Sequence, residues 1–422
     1  MTTTSTRAPV ISTAFILAWF GANLSVTGDE ILNFALLVNA AHGTGSVGIL
    51  GFLVGLPALF GAWIGAWIAK RKERANHILV GSAVLGAVVV GVLWLLWTGT
   101  YLVLVTYAAV FMLGILKLTT WTTWQSSVPD LANTDNPDEI RRLMGWTVTS
   151  FGVGAALGPF IAGSLASMLD RRSLVLVDGI TFVLAALLVL PAARRLFRNS
   201  GPRDTVRAAA GDDGRDRARW WEGVRLIFRQ PLVRTPTLCL AATNFVTFGV
   251  LFSIPLVLLE KGMSDRMIGW VWSTFMAGSL VGSAASTRFR NDRMFRVYLV
   301  GEPAVRALGL VALAIATTPI GVLAGAALFT IPQGMGRVAR ESNMATTFEG
   351  AQRFRVLGAY QTIIRGAMPL APLVMGTVVL DLGSTTFLLG AAVLLTGFSV
   401  AVSSDRSLRS AMLARTAANA IR

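Results

Sequence analysis

Apolar residues along this chain gather into stretches of about twenty, the length a helix needs to cross about 30 Å of hydrocarbon, with short polar breaks between them. A window of about nineteen residues predicts helical spans at 13–38, 46–69, 77–98, 101–126, 144–169 and 173–193, and again at 236–259, 265–287, 297–317, 319–341, 356–380 and 384–404. The expected fold is all-α and integral to the membrane, with twelve transmembrane helices. Between the sixth and seventh spans lies the longest polar stretch, Arg194 to Arg234, with eleven arginines and five acids. It reads as a solvated linker lying partly on anionic lipid. The chain therefore divides into a six-helix bundle over 1–195, a central loop over 196–233 and a second six-helix bundle over 234–422.

Composition agrees with this reading, since only 14% of the 422 residues are charged, where a soluble domain carries roughly 25%. The net charge of +15 would point to nucleic acid only if the basic residues formed one solvated face. They alternate between loops instead. With the N-terminus inside, the inner segments hold 30 of the 37 lysines and arginines, and the outer loops only Arg171, Arg172, Lys261 and Arg266. That bias places both termini in the cytoplasm. The first span follows Arg7 and a short polar leader without a small-residue cleavage site, so it is expected to be retained. One cysteine, Cys239, and two histidines, His42 and His77, leave no spacing for a disulfide or a zinc site. No metal, cofactor or catalytic constellation is expected, and GxSxG and GxxxxGK[ST] are both absent.

The second half repeats the first. A shift of 213 residues superposes Arg142 on Arg355, Gly145 on Gly358, Pro159 on Pro372 and Gly163 on Gly376, and a looser one pairs Arg71–Arg74 with Arg290–Arg293. Half-length repeats imply two pseudo-symmetric bundles facing each other, with a substrate site between them near the membrane midplane.

This layout resembles the major facilitator superfamily along the whole chain. Four strings are similar to its drug/proton antiporter branch, which includes macrolide-efflux and enterobactin-exporter proteins: Asn23–Leu36, Ser126–Leu131, Gly152–Gly163 and Val177–Phe182. Within the third, Gly154, Gly158, Pro159 and Gly163 match the branch's GxxxGPxxxG motif of the fifth helix. The resemblance implies the major facilitator fold and export driven by a proton gradient. Two features depart from it. In the string Gly65–Arg74, Ala69 stands where the family's gating aspartate is expected, leaving Arg71 and Arg74, and the fourth span lacks the family's arginine motif, although it carries Lys117.

Charges in hydrocarbon are costly unless paired or wetted, so each marks a candidate site. Asp29 and Glu30 lie in the first span; helical spacing puts Trp19, Asn23, Thr27 and Glu30 on one face and Ser25, Asp29 and Asn33 on the next. A carboxylate partly desolvated in a cavity wall is suited to exchange protons, and the pair are the proton-coupling candidates. Lys117 shares a face with Thr120, Trp121 and Trp124; it either reads an acidic aromatic cargo together with Trp121 or pairs with Asp29 or Glu30, while Trp124 faces the cavity or the lipid. Asn23, Lys117, Trp121, Asn244, Phe248 and Arg365 are the substrate-binding candidates, and Thr247 shares the face of Asn244 and Phe248. Glu302 and Arg306, four residues apart, are expected to neutralise each other, with Glu302 also a candidate acid for Arg365. Arg71, Arg74, Arg142 and Arg355 are inner-gate candidates, and Arg337, Arg340 and Glu341 gate or anchoring residues.

The expected protein is a monomeric secondary exporter of a bacterial cytoplasmic (inner) membrane. Its expected partners are a small amphipathic drug or natural product, protons and membrane lipid, with no nucleic acid and no cofactor beyond the proton gradient. The alternative is an exporter dedicated to one metabolite, such as a siderophore or a self-made antibiotic.

Overall fold

A computed structural model of the chain describes residues 13–44, 46–61, 64, 67–68, 75–97, 102–132, 137–199, 216–286, 292–347 and 350–410. Within these the regular structure is helical. The first half comprises α1 (Thr13–Asn39), α2 (Val47–Gly55), α3 (Ala75–Leu95), α4 (Leu102–Ala132), α5 (Pro137–Leu165) and α6 (Arg171–Asn199). A short helix, α7 (Asp216–Arg229), leads into α8 (Pro231–Glu260), α9 (Asp265–Ser286), α10 (Asp292–Ile315), α11 (Pro319–Thr347), α12 (Gly350–Gly366), α13 (Leu370–Leu382) and α14 (Ser384–Ser404). Among the described residues, eight helical stretches are long and apolar enough to cross a membrane, within α3, α4, α6, α8, α10, α11, α12–α13 and α14.

Prolines and glycines account for the departures from the expected spans. Ser46 caps α2, its hydroxyl accepting from the Ile49 N–H at 3.3 Å, and the helix tightens into a 3₁₀ turn over Leu56–Phe60 at Pro57. The eleventh span is two helices, not one. Pro369 has no N–H to give and its ring crowds the carbonyl four residues back, so α12 ends at Gly366 and α13 starts at Leu370. Gly383, at φ 81°, makes the turn into α14.

The central loop also differs from the expectation of a solvated linker. Its second part is α7, and Ile227 is fully buried in a cluster with Val233, Leu240, Val356, Ala359, Tyr360 and Ile364. Val224 packs beside it. Val224 and Ile227, one turn apart, lay an apolar stripe on one face, which a nineteen-residue average conceals beneath the intervening charges. The stripe docks on α12.

The repeat is carried into the tertiary structure. Helix α5 of the first half packs on α9 of the second, and α13 packs on α2 in return. At each contact a proline of the repeat faces a glycine of the opposite half. A Cβ on Gly269 would stand 2.4 Å from the Pro159 carbonyl oxygen, and one on Gly48 would stand 2.9 Å from that of Pro372. No side chain fits at either glycine, so the halves meet backbone to backbone, the mode by which small residues join helices in lipid.

Candidate functional site

A set of polar contacts closes the bundle at the face away from the chain termini. The Asp265 carboxylate at the start of α9 accepts from Arg171 Nη2 at 3.4 Å and meets His42 Nε2 at 3.1 Å. Arg171 also donates to Asn39 Oδ1 at 3.4 Å. Below this layer, Trp270 Nε1 donates to Ser164 Oγ at 3.4 Å and Ser273 Oγ to the Ala156 carbonyl at 2.6 Å. The remaining basic residues of this face are held too. Arg172 lies over the Trp94 ring and Arg266 over that of Trp270, while Lys261 donates to the Ala314 and Ala316 carbonyls.

Beneath the closed face, the halves surround a cavity of about 620 Å³. Its first-half wall carries Asp29, Glu30 and Asn33 of α1, Lys117, Trp121 and Trp124 of α4, and Phe151 of α5. The second-half wall is largely aromatic, with Phe248 and Phe252 of α8 and Trp272 of α9, and adds Asn244, Gln333, Gln361 and Arg365. Phe248 and Phe252 lie 4.6 Å apart between ring centroids, and Phe252 meets Trp272 edge-on at 5.9 Å. The carboxylates thus lie on the first-half wall, opposite a cluster of three aromatic rings on the second.

Lys117 ties the charged wall together. Its Nζ donates to Glu30 Oε1 at 2.8 Å and lies 3.6 Å from Asp29 Oδ2. The lysine is therefore both a cavity residue and an ion-pair partner, so the two readings of it are not exclusive. Asn33 Nδ2 bonds the other Glu30 oxygen at 3.5 Å. Trp121 packs on Phe151 with centroids 4.7 Å apart. Trp124 is 1% exposed and packs on Phe15, so it lines the cavity and is not a lipid-facing belt residue.

Other candidates lie elsewhere. Asn23 does not line the cavity: its amide donates to the Trp19 carbonyl at 2.7 Å, and its own carbonyl faces Gly154 of α5. Gly158 lies against the Thr27 carbonyl and the Glu30 Cβ, and Gly163 against Gly269. The glycine–proline motif thus touches the acid-bearing helix on one side and the opposite half on the other. Thr247 turns away from the cavity to accept from Arg306 Nη2. The expected Glu302–Arg306 pair forms at 3.0 Å, fully buried. Arg340 joins it, donating to the second Glu302 oxygen from a site 3% exposed. Arg340 is therefore not an anchoring residue at the membrane surface, because the buried carboxylate outcompetes lipid phosphate for it. Arg306 and Arg340 occupy both Glu302 oxygens, and Arg365 belongs to the cavity wall. Arg71 and Arg74, and the side chains of Arg142, Arg337, Glu341 and Arg355, lie outside the described residues.

Sequence reasoning missed Asp178 of α6, which is fully buried and interacts electrostatically with Asp29, Lys117 and Glu30. Its signal was an acid within a span, the same rule that selected Asp29. Nothing in the sequence marked Phe252, Trp272, Gln333 or Gln361, whose place in the wall depends on how the halves meet.

The helices thus surround a central cavity, with contacts of α5 on α9 and of α2 on α13 beside it. Residues 135–305 match the family model described as Major Facilitator Superfamily. No curated protein matches the sequence. Among solved structures, the chain is similar to a bacterial homologue of the human lysosomal transporter Spinster in an inward-facing and unoccupied conformation, with 13% identity, a TM-score of 0.67, and coverage of 93% of this chain and 97% of that one. It is similar to a POT family transporter in complex with 5-aminolevulinic acid, at 12% identity and TM-score 0.67, covering 91% and 94%. It is also similar to the nucleoside transporter NupG, at 13% identity and TM-score 0.65, covering 92% and 98%. The fold is the major facilitator fold of a multi-pass membrane protein.

Proposed function

We propose that the protein exports a small amphipathic compound, a drug or natural product, in exchange for protons. The observation that carries this reading is the Lys117 ammonium shared between Asp29 and Glu30 in the cavity wall, opposite the aromatic surface of Phe248, Phe252 and Trp272. Two carboxylates compete for one cation. Protonating either one releases Lys117 to the other, so proton binding reshapes the charge that a cargo meets in the cavity. An aromatic wall beside a movable charge suits an amphipathic cargo.

The closed face corresponds to the outside, so this conformation opens inward, with both termini in the cytoplasm and the bundle in a bacterial cytoplasmic membrane. The two six-helix units, 1–195 and 234–422, rock about the glycine contacts of α5 with α9 and of α2 with α13. The transporter works as a monomer on the proton gradient alone, and its inner gate draws on Arg71, Arg74, Arg142 and Arg355. A second reading, export of one acidic metabolite such as a siderophore or self-made antibiotic, is favoured by Arg365 and Lys117 lining opposite walls.

Everted vesicles carrying the protein, with an inside-acid gradient, test both readings against a panel of antibiotics, dyes and siderophores. Uptake that a protonophore abolishes supports antiport, and uptake confined to one acidic compound supports the second reading. Uptake indifferent to the gradient overturns proton coupling.

A further inference from the structure

Besides Asp29 and Glu30, the first half carries a further acid buried among its helices, Asp178. Asp178 is fully buried on α6, and it is absent from the cavity lining, to which Phe182, one turn further on, contributes. Its niche exists because residue 28 is glycine. A Cβ on Gly28 would stand 2.5 Å from Asp178 Oδ1 and 1.9 Å from the Thr181 hydroxyl oxygen, so any side chain there expels the carboxyl. The niche thus places Asp178 against the backbone immediately before Asp29.

The groups around Asp178 decide its state. On its own helix, the Thr181 hydroxyl donates to the Asp178 carbonyl at 2.8 Å and approaches Oδ1 at 3.2 Å. It interacts electrostatically with Asp29 and Glu30 of α1 and with Lys117 of α4. The neighbouring helix α3 carries no titratable residue between Ile78 and Leu95. Lys117 is engaged by Asp29 and Glu30, and among the described residues Asp178 has no ion-pair partner. Its Oδ2 has no hydrogen-bond partner among the described residues either. Two carboxyls therefore share one ammonium, and the third and most deeply buried, Asp178, has no cation in contact among the described residues. An isolated buried carboxylate costs far more than a buried neutral acid.

We propose that Asp178 is a proton-storing residue of the transporter, neutral in this conformation, which exchanges its proton with Asp29. The O–H bond at Asp178 breaks as the one at Asp29 forms, Lys117 is freed from Asp29 to balance the new Asp178 carboxylate while it stays on Glu30, and the total charge of the cluster is unchanged. Storage itself follows from the niche, while its part in coupling rests on the antiport reading.

Infrared spectra of the full-length protein in liposomes at neutral pH test the storage directly, through the carbonyl stretch of a protonated carboxylic acid. The expected result is an absorption that persists in Asp29→Asn and Glu30→Gln but loses one acid's intensity in Asp178→Asn. Equal spectra for Asp178→Asn and the native protein overturn the proposal. Should Asp178→Asn fail to insert, Asp178→Glu keeps a carboxyl displaced by one methylene; a shifted band supports the proposal and an unshifted one overturns it. Failure of gradient-driven export in the vesicle assay, with the infrared result intact, would count against antiport and not against storage.

Discussion

Gly163 of α5 and Gly269 of α9 touch backbone to backbone across the two halves: a Cβ on Gly163 would stand 2.8 Å from the Gly269 Cα. The same turns of α5 press Gly154 and Gly158 on α1, which carries Asp29 and Glu30. One helix thus connects the charged wall of the cavity to the seam that closes it.

Replacing Gly163 with leucine should hold this seam apart. In a Cys239→Ser background with a cysteine at Val54 in the cavity wall, a membrane-impermeant thiol reagent added from the closed face should react at least several-fold faster in Gly163→Leu. An unchanged rate would show that the seam does not gate access.

The Asp265 latch is weaker. Its carboxylate is 26% exposed and its partners Arg171 and His42 are 32% and 37% exposed, and such pairs contribute about 0–1 kcal/mol each. Asp265→Asn should raise the same labelling rate only a few-fold and leave thermal stability nearly unchanged.

The Glu302 cluster is the opposite case. Glu302→Ala leaves two fully buried guanidinium groups, those of Arg306 and Arg340, without their shared acid. Breaking a buried pair from one side costs about 3–5 kcal/mol, so unfolding in detergent should shift to markedly lower temperature or denaturant concentration. The Glu302→Gln variant, which keeps the acceptor oxygen, should lose less.

Lys117→Glu replaces the ammonium held between Asp29 and Glu30 with a third acid. Selectivity in the vesicle panel should move from acidic toward cationic compounds. An unaltered profile would confine Lys117 to a structural role.

After α14, outside the membrane, Asp405 receives hydrogen bonds from Ser407 N, Ser407 Oγ, Leu408 N and Thr235 Oγ1. The Ser407 and Thr235 hydroxyls pull its carboxyl down from 3.8 to about 2. A lowered value means stability that is complete above the unfolded value and lost as pH falls through the folded one. Exchange protection of the Ser407 and Leu408 amides should therefore be constant above about pH 4 and fall as the pH approaches 2. The Asp405→Ala variant should lack this step.

The sequence by itself determined that the chain is all-helical and multi-pass, because hydrophobic length is a property of the chain read one residue at a time. It also selected Asp29, Glu30, Lys117 and the glycine–proline motif, since an ionisable group or a crowded glycine within a span is conspicuous wherever it packs. Where a long average hides a short pattern, the reading failed: α7 looked like linker, and Pro369 divided a span that hydropathy left whole. What only the tertiary structure decided is which side chains share a space. Asn23 and Glu30 lie on one face of α1, yet Glu30 reaches the cavity while Asn23 packs toward α5. Arg340 finds Glu302 across 38 residues of chain, and Asp178 reaches Asp29 because Gly28 leaves it room. Such pairings depend on how neighbouring helices cross and how closely they approach, and the pattern along a single helix does not encode either.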